Sequence, residues 1–127
     1  MPEPIRVAVV DNHAPYRSGV VTTVNAAVEF EVVAEGECGT DAVRIARDYH
    51  PDIMLLDENM PLSGIKAARE ISRTCPSVKT ILLTSCAEME HVTAAREAGA
   101  SFCLTKGISA AELLATLRCV HFQGNTI

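Results

Sequence analysis

Strict alternation of short, β-rich apolar runs with longer stretches of helical period most narrows what this chain can fold into. The apolar runs occupy residues 5–10, 30–34, 53–56, 80–83 and 102–105. The first, Ile-Arg-Val-Ala-Val-Val, is nearly continuous rather than alternating, as expected of a strand covered on both faces. Ile53-Met-Leu-Leu56 is the most apolar run and is therefore expected at the centre of the sheet. Helices are expected over 15–28, with Pro15 suited to the first turn, and over 40–49, capped by Thr40 and stopped by Pro51. A loop from Asp57 to Gly64 leads into a helix that closes near Thr74. The fourth helix, 88–98, ends on Gly99; the last, 109–122, opens on the capping box Ser109-Ala-Ala-Glu112. Five β–α units with right-handed crossovers predict an α/β fold: a doubly wound, five-stranded parallel sheet with helices on both faces.

The chain has 127 residues, enough for one domain with its own core, read here as 1–122. Residues 123–127 read as the start of a linker or as a tail. The net charge of −5 and the lack of any basic run argue against direct nucleic-acid binding by this surface. No apolar stretch approaches the roughly 20 residues of a membrane-spanning helix, and Met1-Pro-Glu-Pro is no cationic leader, so a cytoplasmic location is expected. Cys38, Cys75, Cys86, Cys103 and Cys119 are odd in number and lack C-x-x-C spacing. They read as buried free thiols of a reducing compartment, not as a zinc site.

In a doubly wound sheet, ligands bind beyond the carboxyl ends of the strands, near the point where strand order reverses. The residues that follow each strand therefore decide the chemistry. Asp11, Asn12 and His13 follow the first, Asp57 the third, Thr84 and Ser85 the fourth, and Lys106 the fifth. Polar residues ordinarily follow strands, and any one of these alone would mean little. Two acids, a hydroxyl and an ammonium drawn from four segments to one rim make a site.

These residues resemble the receiver domains of two-component response regulators, over nearly the whole chain. The likeness is carried by Val-Val-Asp11-Asn12-His13, Met-Leu-Leu-Asp57-Glu-Asn-Met-Pro61-Leu-Ser-Gly64, Leu-Leu-Thr84-Ser85, and Glu-Ala-Gly99-Ala through Lys106. His13, Arg17-Ser-Gly19 and a Gly after Lys106 look most like receivers fused to a LuxR-type helix-turn-helix domain. The resemblance implies a flavodoxin-like strand order, 2-1-3-4-5. It makes Asp57 the phosphoryl acceptor, Lys106 the cation beside the phosphoryl oxygens and Thr84 the hydroxyl that turns toward them. Asp11, Asp57 and the Asn59 carbonyl would hold Mg²⁺, with Asn12 a weakened ligand. A sensor histidine kinase would be the phosphodonor, a homodimer the assembly, and a DNA-binding domain outside this chain the output. The fourth helix and its flanking strands would carry the response. Pro61 and Gly64 would shape the loop after Asp57, although ordinary loop punctuation accounts for them as well.

Two positions depart from the family pattern. A second acid usually stands at position 12, and an amide oxygen there ligates without the charge. Glu58 is a partial substitute only if its side chain points inward. An aromatic is usual at position 103, where this chain has a cysteine, read as a small core residue. Asn12 therefore keeps a second reading open: a pseudo-receiver that acts as a dimerisation or docking module without phosphorylation. An aspartate-dependent phosphatase would want an acid two residues after its nucleophile, and neither His13 nor Asn59 is one. A flavin binder would want a phosphate-cradling loop where acidic Asp11 stands. His50, His91 and His121 read as surface residues on helices, and His13 as a loop residue rather than a metal ligand.

Overall fold

A computed structural model describes residues 3–61, 63–85 and 88–123. Five strands, β1 (Ile5–Val10), β2 (Phe30–Gly36), β3 (Ile53–Asp57), β4 (Lys79–Thr84) and β5 (Phe102–Thr105), alternate with five helices. The helices are α1 (Ala14–Ala26), α2 (Gly39–Tyr49), α3 (Gly64–Thr74), α4 (Met89–Glu97) and α5 (Ala110–Gln123). All strand pairs are parallel, in the order β2-β1-β3-β4-β5. The fold is the flavodoxin-like doubly wound sheet expected from the alternation and the resemblance.

Period-two alternation along the strands divides the core into two layers. Val7, Val9, Ile53, Leu55, Ile81 and Leu83 point to the side covered by Val20 and Val24 of α1 and Leu113, Leu117 and Val120 of α5. Ala8, Val10, Met54, Leu56 and Leu82 point to the other, under Ala42 and Ile45 of α2, Ala68 and Ile71 of α3 and Ala95 of α4. Every residue of β3 is buried, which explains why its sequence is the most apolar. The reversal of strand order falls between β1 and β3, so their carboxyl ends flank the switch point.

Several local expectations change. Strands β2 and β4 run longer than their apolar cores, because ladder pairing extends to Gly36 beside Val10 and Lys79 beside Ile53. Thr40 lies inside α2, whose N-cap is Cys38. α1 begins at Ala14 and ends before Ala27, where the backbone turns extended. Gly99 adopts φ +88 after α4, the left-handed conformation that closes a helix most easily with glycine. Ser109 Oγ accepts from Glu112 N at 3.1 Å, the first half of the capping box. Cys38, Cys75 and Cys103 are free thiols and, like Cys119, only half-buried. Cys86 and the residues after Gln123 lie outside the described residues.

Candidate functional site

Strand pairing brings the polar rim together. Asp57 ends β3 and lies in register with Leu83; Thr84 ends β4 opposite Thr105, and Lys106 follows directly. The amide of Lys106 donates to the Thr84 carbonyl at 2.9 Å, and that of Glu58 to the Leu83 carbonyl at 2.9 Å, so the ladder continues into the loops. Asp11 follows β1, its amide donating to the Gly36 carbonyl of β2 at 3.0 Å.

Two carboxylates are thereby buried side by side: Asp11 is 0% and Asp57 3% exposed. Lys106 Nζ lies between them, 2.8 Å from Asp11 Oδ2 and 3.3 Å from Asp57 Oδ1. Burial, reinforced by the charge of Asp11, holds the Asp57 carboxyl above the usual aspartate range; the Asn59 amide and Lys106 oppose it. Burial alone would lower the Lys106 ammonium, but the two carboxylates outweigh it and raise its pKa. The ammonium also lies 4.8 Å from the centroid of the Tyr16 ring, a cation–π contact.

Backbone donors orient the acids. His13 N donates to Asp11 Oδ1 at 2.8 Å, and Asn59 N to Asp57 Oδ1 at 3.1 Å. Arg17 Nη1 donates to the Asp11 carbonyl at 2.6 Å, while its Nε pairs with Glu35 Oε1 at 3.2 Å, which ties α1 to the end of β2. The ion pair with Lys106 aside, buried Asp11 Oδ2 has no hydrogen-bond partner among the described residues. A second carboxylate stands across the same ammonium. Unfilled acceptor capacity on paired acids suits a hard cation with oxygen ligands. Asn12 is exposed, and no cluster of three or more His, Cys, Asp or Glu suited to a metal occurs among the described residues.

The loop after Asp57 is held at both ends. The Pro61 carbonyl accepts from Gly39 N at the start of α2 at 3.0 Å, and Gly64 N reaches the Glu58 carbonyl at 3.3 Å. A Cβ on Gly64 would stand 1.9 Å from the Asp57 carbonyl oxygen, so close approach, beyond punctuation, requires glycine there.

Sequence reasoning missed two features. The Glu58 carboxylate is engaged elsewhere: its Oε2 accepts from Thr84 Oγ1 at 2.7 Å, and it meets His91 Nδ1 at 2.9 and 3.0 Å. It therefore does not make up for the acid missing at position 12, and His91 is no plain surface residue. The contacts of Arg17, which the sequence marked only as part of the family likeness, and of Tyr16 are the second omission. Neither contact had a local signal, because each joins segments distant in sequence. Cys103 is half-buried near Glu58, and burial, with that charge second, pushes its thiol pKa up, which disfavours the reactive thiolate. His50 is an exposed helix cap in the left-handed conformation, and His121 packs edge-on against Phe122.

The sequence pattern described as the response regulator receiver domain matches residues 7–118. The response regulator GacA of Pseudomonas aeruginosa is 34% identical over 117 residues, covering 91% of this chain and 55% of that protein. The transcriptional regulatory protein DegU of Brevibacillus brevis is 36% identical, covering 94% of this chain and 51% of that protein. The chain thus spans about half the length of the curated relatives it matches. Among solved structures, the receiver domain of the response regulator NarL from Mycobacterium tuberculosis superposes with a TM-score of 0.89 at 30% identity, covering 95% of this chain and 99% of that one. A LuxR-family two-component response regulator from Aurantimonas superposes at 0.92 with 28% identity, covering 98% and 90%. Among the described residues, no helix is long and apolar enough to cross a membrane.

Proposed function

Because the chain belongs to the response-regulator receiver family, we propose that Asp57 accepts a phosphoryl group and that the modified domain changes its contacts with an output partner. The observation that supports this most directly is the buried pair Asp11 and Asp57 bridged by the Lys106 ammonium at 2.8 and 3.3 Å. An Asp57 oxygen attacks phosphorus and forms a mixed anhydride. With a phosphohistidine donor the P–N bond breaks, its electron pair stays on the imidazole, and that ring takes up a proton. Lys106, an ammonium with three donors, faces the oxygens of the transferring group as a point charge. Thr84 offers one hydroxyl proton to the product.

Asp11, Asp57 and the Asn59 carbonyl would hold Mg²⁺, with the neutral Asn12 amide a weak fourth. When bound, the ion neutralises charge on the phosphoryl oxygens. The chain's own contribution is a rim whose acids are oriented by the His13 and Asn59 amides before any donor arrives. The domain serves as a signalling module, not as an enzyme acting on external substrates. Its kinase partner, its homodimer and a DNA-binding output domain beyond Ile127 belong to the same reading, as do its cytoplasmic location and a domain boundary near residue 122.

Intact mass after incubation with Mg²⁺ and acetyl phosphate tests the proposal. A gain of one phosphoryl group, absent in Asp57→Ala, is the expected result; no gain at any Mg²⁺ concentration overturns it. Asn12 favours one other reading, a docking module that is never phosphorylated, because the carboxylate of Glu58 is engaged by Thr84 and His91 and leaves that missing charge unreplaced. Dimerisation unaffected by Asp57→Ala and by Mg²⁺ would be its signature.

A further inference from the structure

We propose that Glu58 is a positioning residue that holds the Thr84 hydroxyl in competition with a phosphoryl group on Asp57, anchored for that purpose by His91 of α4. The inference rests on the acceptor role proposed for Asp57 and assigns a device to the same rim that this role does not require.

The geometry is a chain of three side chains across three elements. Glu58 follows Asp57 at the end of β3, Thr84 ends β4, and His91 lies in the first turn of α4. Thr84 Oγ1 donates to Glu58 Oε2 at 2.7 Å, a short, charge-assisted bond. His91 Nδ1 meets both oxygens of that carboxylate, at 2.9 and 3.0 Å. The Glu58 side chain is only 9% exposed, against 33% for His91, so the carboxylate sits in a wall of protein with the imidazole as its outer lid. The pairing in turn holds the His91 ring protonated at a higher pH than a free imidazole.

A threonine hydroxyl has one proton to donate. While Glu58 receives it, a phosphoryl oxygen on Asp57 does not. The two acceptors carry the same sign of charge and stand on adjacent residues, so each phosphoryl transfer also repels the Glu58 carboxylate. Capture of Thr84 by the phosphoryl group therefore releases Glu58 from one of its two side-chain partners among the described residues. The released carboxylate leaves His91 less firmly bound, and His91 belongs to α4. A charge change at Asp57 is thereby passed to a helix through one carboxylate, with no large side chain needing to swing at position 103, where the chain has only Cys103. The hold of Glu58 on Thr84 must be broken before the hydroxyl serves the product.

The test is NMR of the His91 ring nitrogens in the ¹⁵N-labelled chain, read beside intact mass with Mg²⁺ and acetyl phosphate. In the unphosphorylated chain, Glu58→Gln is expected to lower the His91 titration midpoint; an unchanged midpoint overturns the pairing. On phosphorylation of the wild type, the His91 nitrogens are expected to shift toward the Glu58→Gln values. In Thr84→Val, phosphorylation is expected to leave them in place. Glu58→Gln is expected to gain the phosphoryl group roughly tenfold faster, the factor that corresponds to about 1.4 kcal/mol. His91→Asn, which keeps a side-chain donor, should show an intermediate rate. If mass is gained while the wild-type His91 nitrogens do not move, the competition is refuted and the acceptor role of Asp57 stands. If the wild type gains no mass, the acceptor role has failed, and the inference that presupposes it fails too.

Discussion

Lys106 Nζ stands 2.8 Å from Asp11 Oδ2, and that oxygen has no hydrogen-bond partner beyond this ion pair among the described residues. One ammonium thus serves two buried carboxylates, since Asp57 Oδ1 lies 3.3 Å from the same nitrogen. Removing the cation leaves two like charges in a rim shielded from water. Lys106→Met is expected to cost roughly 2–4 kcal/mol of unfolding free energy, somewhat under the range for a fully buried pair because Lys106 is partly solvated. Adding Asp57→Asn in that background should recover most of the loss, since one carboxylate no longer repels the other. Urea denaturation of the two single variants and the double variant measures both; a Lys106→Met cost within 0.5 kcal/mol of zero would refute the bridging role.

The raised pKa of Asp57 gives stability a defined pH dependence. Burial makes the native carboxyl bind its proton more tightly than the unfolded chain does. Ionisation therefore costs stability: nothing below the unfolded value of about 3.9, progressively more above it, and the full amount above the native pKa. Asp57→Asn removes that cost. Its Tm should exceed that of the wild type at neutral pH, and the two should converge as the pH falls below about 4. Thermal unfolding of both proteins across that window decides it, and equal Tm values at pH 7 contradict the assignment.

Much of this architecture was legible before any coordinates. The buried β3 run, the alternation of elements and the residues that follow each strand sufficed for the sheet and for Asp11, Asp57, Thr84 and Lys106, because strand ends in a parallel sheet converge whatever the loops do. The helix starts were less legible. Thr40 has the chemistry of a cap, yet the chain turns two residues earlier, at Cys38, because Gly39 N is drawn to the Pro61 carbonyl from another loop. Glu58 and His91 were beyond reach for the same reason. They are 33 residues apart, and only the packing of α4 beside the end of β3 brings them together. Arg17 is similar: its partners, the Asp11 carbonyl and Glu35, belong to two different strand ends.

Magnesium should stabilise the fold through the same two acids. A ligand that binds only the native state adds RT ln(1 + [L]/Kd), about 1.4 kcal/mol at ten times Kd. The wild type is expected to show a rise in Tm with millimolar Mg²⁺, and Asp11→Asn to lose it. Asn12→Asp should do the opposite. It supplies the charge that the amide lacks, and after a heavy discount for solvation of this exposed position the gain is about 1.4 kcal/mol, a tenfold lower Kd. Isothermal titration with Mg²⁺ measures the three proteins directly. Identical affinities for the wild type and Asn12→Asp would place the ion elsewhere.

Gly64 is the most demanding position in the loop after Asp57. The Asp57 carbonyl oxygen would lie 1.9 Å from an alanine Cβ, with the Glu58 Cα at 3.0 Å. Both neighbours are backbone, so no side chain can rotate away, and the first turn of α3 must separate from the end of β3. Overpacking of this kind costs about 1–3 kcal/mol where side chains can adjust, and more where they cannot. Gly64→Ala is therefore expected to lower stability by about 3 kcal/mol. Gly107, where a Cβ would meet nothing within 4 Å, is the control, and Gly107→Ala should leave the unfolding free energy within about 1 kcal/mol. The same displacement would move the Asn59 amide that orients Asp57 Oδ1, so the folded fraction of Gly64→Ala should also gain a phosphoryl group more slowly than the wild type. Chemical denaturation and the mass assay separate these effects. A Gly64→Ala chain as stable as the wild type would mean that the loop relaxes away from the Asp57 carbonyl without strain.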